Sequence, residues 1–128
     1  MLKDPTLLMA GLMTEPHVAW MRQALTTDWT ILSWTENDPF EEFVAKAPRA
    51  DAIVAGRIRG AWPAVPRLGL YQIPFAGHDW IGPGDVPAGC TVCNTFEHEI
   101  TIAEYVLGAM LEREIDMRAV ERRFRTQG

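Results

Sequence analysis

The chain has 128 residues, the size of one domain, and 48% of them are apolar, which supports a real core and excludes a disordered chain. Basic residues number 12 and acidic residues 17, a net charge of −5 that speaks against a nucleic-acid surface, where a basic stripe would be needed. No run of about 18 apolar residues occurs, so no membrane span is expected. The opening MLKDPTLLMAG lacks the pattern of a secretory signal, and two cysteines make no disulfide framework. The expected compartment is the cytoplasm.

In chain order, TLLMA at residues 6–10 is a short apolar run closed by Gly11, the pattern of a buried strand. Residues 15–25 place Val18, Met21, Arg22 and Leu25 at helical spacing. WTILSW at 29–34 is β-branched and aromatic and predicts a second strand. Asp38-Pro39 predicts a helix opening, with Asp38 as N-cap and Pro39 at the first helical position. Phe40, Phe43, Val44 and Ala47 would form its buried face, and Pro48 would end it. DAIVA at 51–55 is a third strand, closed by Gly56. Residues 60–66 hold two prolines and allow at most one helical turn. Residues 67–73 predict a fourth strand, 75–89 a long turn-rich stretch, and 90–93 a short fifth strand.

The last element is the longest. Thr101 and Glu104 fit a capping box ahead of an apolar run. Ala103, Val106, Leu107, Met110, Leu111 and Ile115 then keep one face. Residues 113–128 hold five basic and three acidic groups, against seven and 14 in residues 1–112. Interleaving of Arg with Glu114, Asp116 and Glu121 predicts a solvated helix face laced with ion pairs.

Short apolar strands alternating with helices predict an α/β fold: a flavodoxin-like, doubly wound, parallel five-stranded sheet ending in a long helix. Ligands of such sheets bind outside the carboxyl ends of the strands. That rule points to the loops at 11–12, 56–60, 74–79 and 94–99. Cys90 and Cys93 spell C-x-x-C, but Thr91-Val92 between them favours a strand, in which the two sulfurs face opposite sides. A zinc site using them with His98 would lack a fourth ligand, and no metal site is expected. Neither Gly56-Arg57-Ile58-Arg59-Gly60 nor Gly82-Pro83-Gly84 completes a dinucleotide fingerprint, and no phosphate loop is present. Arg57 and Arg59 flank the expected ligand edge and could pair with a carboxylate or phosphate, or be solvated. Asn94 reads as a residue that orders its loop. The small residues Ala76 and Gly77 would let main-chain N–H groups approach an anion.

Three stretches carry a resemblance. Ile73-Pro74-Phe75-Ala76-Gly77-His78-Asp79-Trp80-Ile81 resembles the strand and turn that in the D-isomer-specific 2-hydroxyacid dehydrogenases read close to G-A-G-(V/Y)-D-N-I-D. Residues 87–94, PAGCTVCN, resemble the next strand of that family, G-(I/V)-x-V-x-N. Residues 98–107, HEITIAEYVL, resemble the start of its interdomain helix, N-x-x-x-V-A-E. The resemblance implies a flavodoxin-like substrate-binding domain over residues 1–100 and a linker helix over 101–128, leading to an NAD-binding domain outside this sequence. It implies an NAD(P)-dependent oxidoreductase that interconverts 2-hydroxy and 2-keto acids, as a homodimer in its full-length form. The family's catalytic Arg, Glu and His fall on the part not contained here, so no catalytic residue is expected in this chain. Alone it is expected to be inactive and to bind neither NAD nor NADP. Carried over residue by residue, the resemblance implies carboxylate binding by the main chain of Ala76 and Gly77 and, more loosely, Ala55, Gly56 and Arg57. His98 stands where many members have an Asn close to substrate, and Ile102 matches a position near the cofactor. Phe75 departs from the family's Gly, and Phe96 from a frequent Pro. The alternative reading is a stand-alone flavodoxin-like module that binds small anions.

Overall fold

Strand β1 (Thr6–Ala10) is buried at all five positions, as suits an interior strand of a sheet covered on both faces. The computed structural model describes residues 4–82 and 84–127. The chain divides into two compact units, Met1–Thr95 and Phe96–Gly128.

In the first unit, β2 (Thr30–Trp34), β3 (Ala52–Ala55), β4 (Leu70–Gln72) and β5 (Thr91–Cys93) join β1 in one sheet of order β2-β1-β3-β4-β5. Every pairing is parallel. This is the flavodoxin-like order, with its switch point between β1 and β3. Alternation along β1 divides the core. Leu8 and Ala10 face one layer with Ile53, Tyr71 and Phe43 of α2 (Phe40–Lys46). Leu7 and Met9 face a thinner layer with Ile31, on which Val18 and Met21 of α1 (Val18–Ala24) pack. The helices thus cover opposite faces, so the sheet is doubly wound as the sequence predicts. A short 3-10 turn, Glu15–His17, leads into α1.

The details depart from the sequence reading in two places. The N-cap of α2 is Pro39, not Asp38. The Asp38 carboxylate instead accepts from the Thr35 N–H (2.9 Å) and hydroxyl (3.1 Å), closing its own turn before the helix starts. Strand β4 is shorter than the predicted 67–73, because Arg67 and Gly69 are engaged by Asp51. Gly69 N–H donates to Asp51 O at 2.9 Å and the Arg67 guanidinium pairs with the Asp51 carboxylate at 2.7 Å. Residues 60–66 hold no helical turn, within the predicted limit of at most one.

The second unit holds α3 (His98–Ile115) and α4 (Met117–Gln127). The capping box does not form: Glu97, in the left-handed conformation at φ 69°, is the N-cap, so Thr101 and Glu104 lie inside the helix. Nor does one helix run through the basic end. Asp116 adopts φ 46° and separates the two helices, and its Oδ1 accepts from Ala119 N–H at 3.1 Å, capping α4. Of the expected ion pairs one forms, Arg125 with Glu121 at 2.7 Å; Arg118 instead reaches back to Glu112 at 3.5 Å, and Glu114 and Asp116 pair with no Arg among the described residues. Ile102 and Tyr105 lie off the predicted apolar face, so α3 is apolar around most of its circumference. Among the described residues, no helix is long and apolar enough to cross a membrane.

Candidate functional site at the carboxyl edge of the sheet

Parallel strands deliver all their following loops to one edge, and there the first unit concentrates its polar main chain. The loop after β3 leaves the core at Ala55, which is fully buried, and turns outward through Gly56 and Arg57. The loop after β4 runs through Pro74 and Phe75 to Ala76, half-buried, and Gly77, exposed.

Aromatic rings join the two loops. A Cβ on Gly56 would sit 3.3 Å from the Phe75 ring and 3.6 Å from Trp80, so the rings pack directly on the Gly56 backbone. Phe75 and Trp80 contact each other with centroids 6.3 Å apart. The Trp80 indole N–H donates to Gly77 O at 3.0 Å and closes the second loop. The Tyr71 hydroxyl, rising from β4, donates to Gly56 O and fixes the first. Burial pushes that hydroxyl above the ordinary tyrosine range, with Cys90 and Asp85 adding to it, so it stays a donor. Asn94 after β5 ties in a third loop, its Nδ2 donating to Ala76 O at 2.8 Å. Replacing Tyr71 by Phe should remove about 1 kcal/mol of stability by leaving Gly56 O short of a donor. Denaturant melts should show that loss, and backbone NMR should place the shifts at 55–58.

Arg57 is engaged within the protein: its guanidinium meets the Asp85 carboxylate at 2.8 and 3.0 Å and pins the β3 loop to the segment between β4 and β5. The Gly82 N–H and Arg57 hold the Asp85 carboxyl below its usual range, against a small opposing effect of burial. Arg59, two residues on, has no ion-pair partner among the described residues. The Gly56 N–H lies at the end of the β1–β3 ladder, where the Ala10–Ala55 pairing directs it to Ala10 O. Among the same residues, no acceptor takes the main-chain N–H groups of Arg57, Ala76 and Gly77. Three unclaimed donors on two loops held together by rings can receive a small anion.

Beside them lies a cavity of about 820 Å³. Its walls are Trp34, Phe40 and Trp80 with Ile58, and its charged groups are Glu36, Asp38, Arg57 and Arg59. Phe40 is seated by Gly60: at φ +124° that residue leaves no room for a side chain, since a Cβ would fall 2.6 Å from the ring. A second hollow of about 500 Å³ opens on the α1 face, lined mainly by apolar groups such as Met9, Met13, Trp20 and Val54. His17, in the short turn before α1, is exposed and lines its rim.

The sequence-derived residues therefore fall in two groups. Gly56 and Arg57 share the carboxyl edge with Ala76 and Gly77, while Ala55 turns its side chain into the core. His98 and Ile102 belong to the second unit, in the first turns of α3. The sequence reading missed Trp80, the residue that connects both loops to the cavity. Its signal was a lone indole, able to donate, inside a stretch otherwise rich in Gly and Pro.

No protein-family model and no curated protein sequence matches the chain. Among solved structures, a D-isomer specific 2-hydroxyacid dehydrogenase family protein from Aeromonas salmonicida subsp. salmonicida A449 is similar to it, with a TM-score of 0.62 and 14% sequence identity. The likeness is one of fold. It takes in 98% of this chain, which spans 40% of that protein's length.

Proposed function

We propose that this chain is the substrate-binding portion of an NAD(P)-dependent oxidoreductase that interconverts small 2-hydroxy and 2-keto acids. The observation that carries the reading is the set of unclaimed main-chain donors on the loops after β3 and β4. The sequence resemblance singles out the same loops as the carboxylate cradle. The structural neighbour, by its printed name a member of the same family, supports the reading through its fold. Main-chain N–H groups suit this task because they stabilise a carboxylate without bringing a proton of their own to the reacting carbon.

In this scheme the chain binds and orients, and a nucleotide-binding domain supplies the hydride donor and the acid–base groups. Closure of that domain over the cradle would exclude water before transfer.

The test is a titration of the isotopically labelled chain with D-lactate, followed by backbone NMR. The amides of Arg57, Ala76 and Gly77 should shift together and saturate, whereas NADH should leave the spectrum unchanged. A spectrum in which those three amides stay still while D-lactate is raised to saturation of any other site would overturn the proposal.

A further inference from the structure

The cavity beside the cradle is far larger than a two- or three-carbon acid can fill, and lies in the size range of sites that hold drug-sized ligands. Its charges balance. Glu36 and Asp38 oppose Arg57 and Arg59, and three of the four are already engaged: Glu36 by Leu12 N–H at 2.8 Å, Asp38 by Thr35, and Arg57 by Asp85. A second anionic group on the ligand would meet two carboxylates as well as Arg59. The unbalanced resource is apolar surface, supplied mainly by Phe40 and Trp80, with Trp34 and Ile58, themselves core residues, forming the floor. Planar rings pack well against such walls in offset or edge-to-face contact. Trp80 closes the cradle loop through Gly77 and is also a wall of the cavity, so the two spaces are adjacent.

We infer that the acid bound here carries an aromatic side chain: its carboxylate lies on the Arg57 and Ala76–Gly77 main chain, and its ring enters the cavity walled by Trp34, Phe40 and Trp80. The inference rests on the cradle reading above and adds the substrate class to it. The Arg59 guanidinium, exposed and without an ion pair among the described residues, stands at the cavity wall, where it can stack on the ring or meet a polar substituent on it.

Three acids used as probes decide the matter: D-lactate, D-3-phenyllactate and D-3-phosphoglycerate, the first two differing only by the phenyl ring. D-3-phenyllactate should bind several-fold tighter than D-lactate, the range expected when one face of a ring is buried against Phe40 and Trp80. It should also shift the indole N–H resonances of Trp34 and Trp80, which D-lactate should leave in place at Trp34. Phe40→Leu should weaken D-3-phenyllactate several-fold and leave D-lactate unchanged; should that variant fail to fold, the indole shifts of the unaltered chain decide alone. Equal affinity for the two lactates, or tighter binding of D-3-phosphoglycerate, overturns the aromatic assignment and leaves the cradle standing. Indole shifts without movement of the three loop amides overturn the cradle reading itself, and with it this placement of the ring.

Discussion

Phe43→Ala should cost about 3–5 kcal/mol, the range for deleting a buried aromatic ring. Phe43 is fully buried, and its ring is the hub of an aromatic cluster. It stacks on Phe40 at 5.4 Å and meets Trp34 at 5.2 Å and Trp62 at 5.1 Å. Trp62 in turn meets Tyr71 at 5.9 Å, so the cluster runs from α2 across the loop after β3 to β4. Truncation would open a cavity lined by large rigid groups that cannot collapse into it. Since a domain of this size is stable by about 5–15 kcal/mol in total, the variant should melt far earlier in urea, with its slope unchanged. Val44→Ala, one residue on and partly exposed, serves as the control and should change little. A Phe43→Ala midpoint close to that of the unaltered protein would show that the cluster does not hold α2 to the sheet.

The second large effect belongs to the opposite edge of the sheet. Asp51 is buried, and its carboxylate accepts from Thr6 N–H at 2.8 Å and from Arg67 at 2.7 and 3.1 Å. Its own N–H donates to Thr6 O at 2.8 Å. The side chain therefore clasps the start of β1 to the segment that enters β4. Asp51→Ala should cost about 2–3 kcal/mol, because the Thr6 donor and the half-exposed guanidinium of Arg67 both lose a charged acceptor. Burial pulls the carboxyl's pKa upward, but the Thr6 N–H and Arg67 outweigh it and hold the pKa below its ordinary 3.8. The sign follows from linkage. A carboxyl lowered by folding contributes its full stability above the unfolded-state value and loses it as pH falls through the folded one. The gap between the unaltered protein and Asp51→Ala should thus be constant near neutrality and close as the solution is acidified below about 3.8. A gap independent of pH down to full acid unfolding would mean that the clasp acts through shape and not through charge.

The sheet was legible in the sequence because parallel, doubly covered strands read as continuous apolar runs, and TLLMA, TILSW and AIVA could be little else. The ends of elements were less legible, and for local reasons. Asp38 and Thr101 have the chemistry of caps, yet a competing turn takes the first and an earlier start at His98 strands the second. Arg67 reads as part of a strand until its partner, 16 residues back, is known. The site divides the same way. Gly56 and Gly77 announce themselves as small residues after strands. The pairing of Arg57 with Asp85, 28 residues away, and the reach of Trp80 back to Gly56 depend on how two loops meet, which no local pattern encodes.

The placement of β1 has a consequence for biogenesis. Of these five strands β1 is made first and takes an interior position, and its two neighbours begin some 20 and 40 residues after it ends. During that interval Leu7, Leu8 and Met9 have neither partner strand beside them, at the stage when nascent chains are most prone to stick to one another. Lys3, Asp4 and Pro5 immediately precede β1, two charges and a residue unable to extend a ladder, the kind of gatekeepers that protect such a segment until its partners arrive.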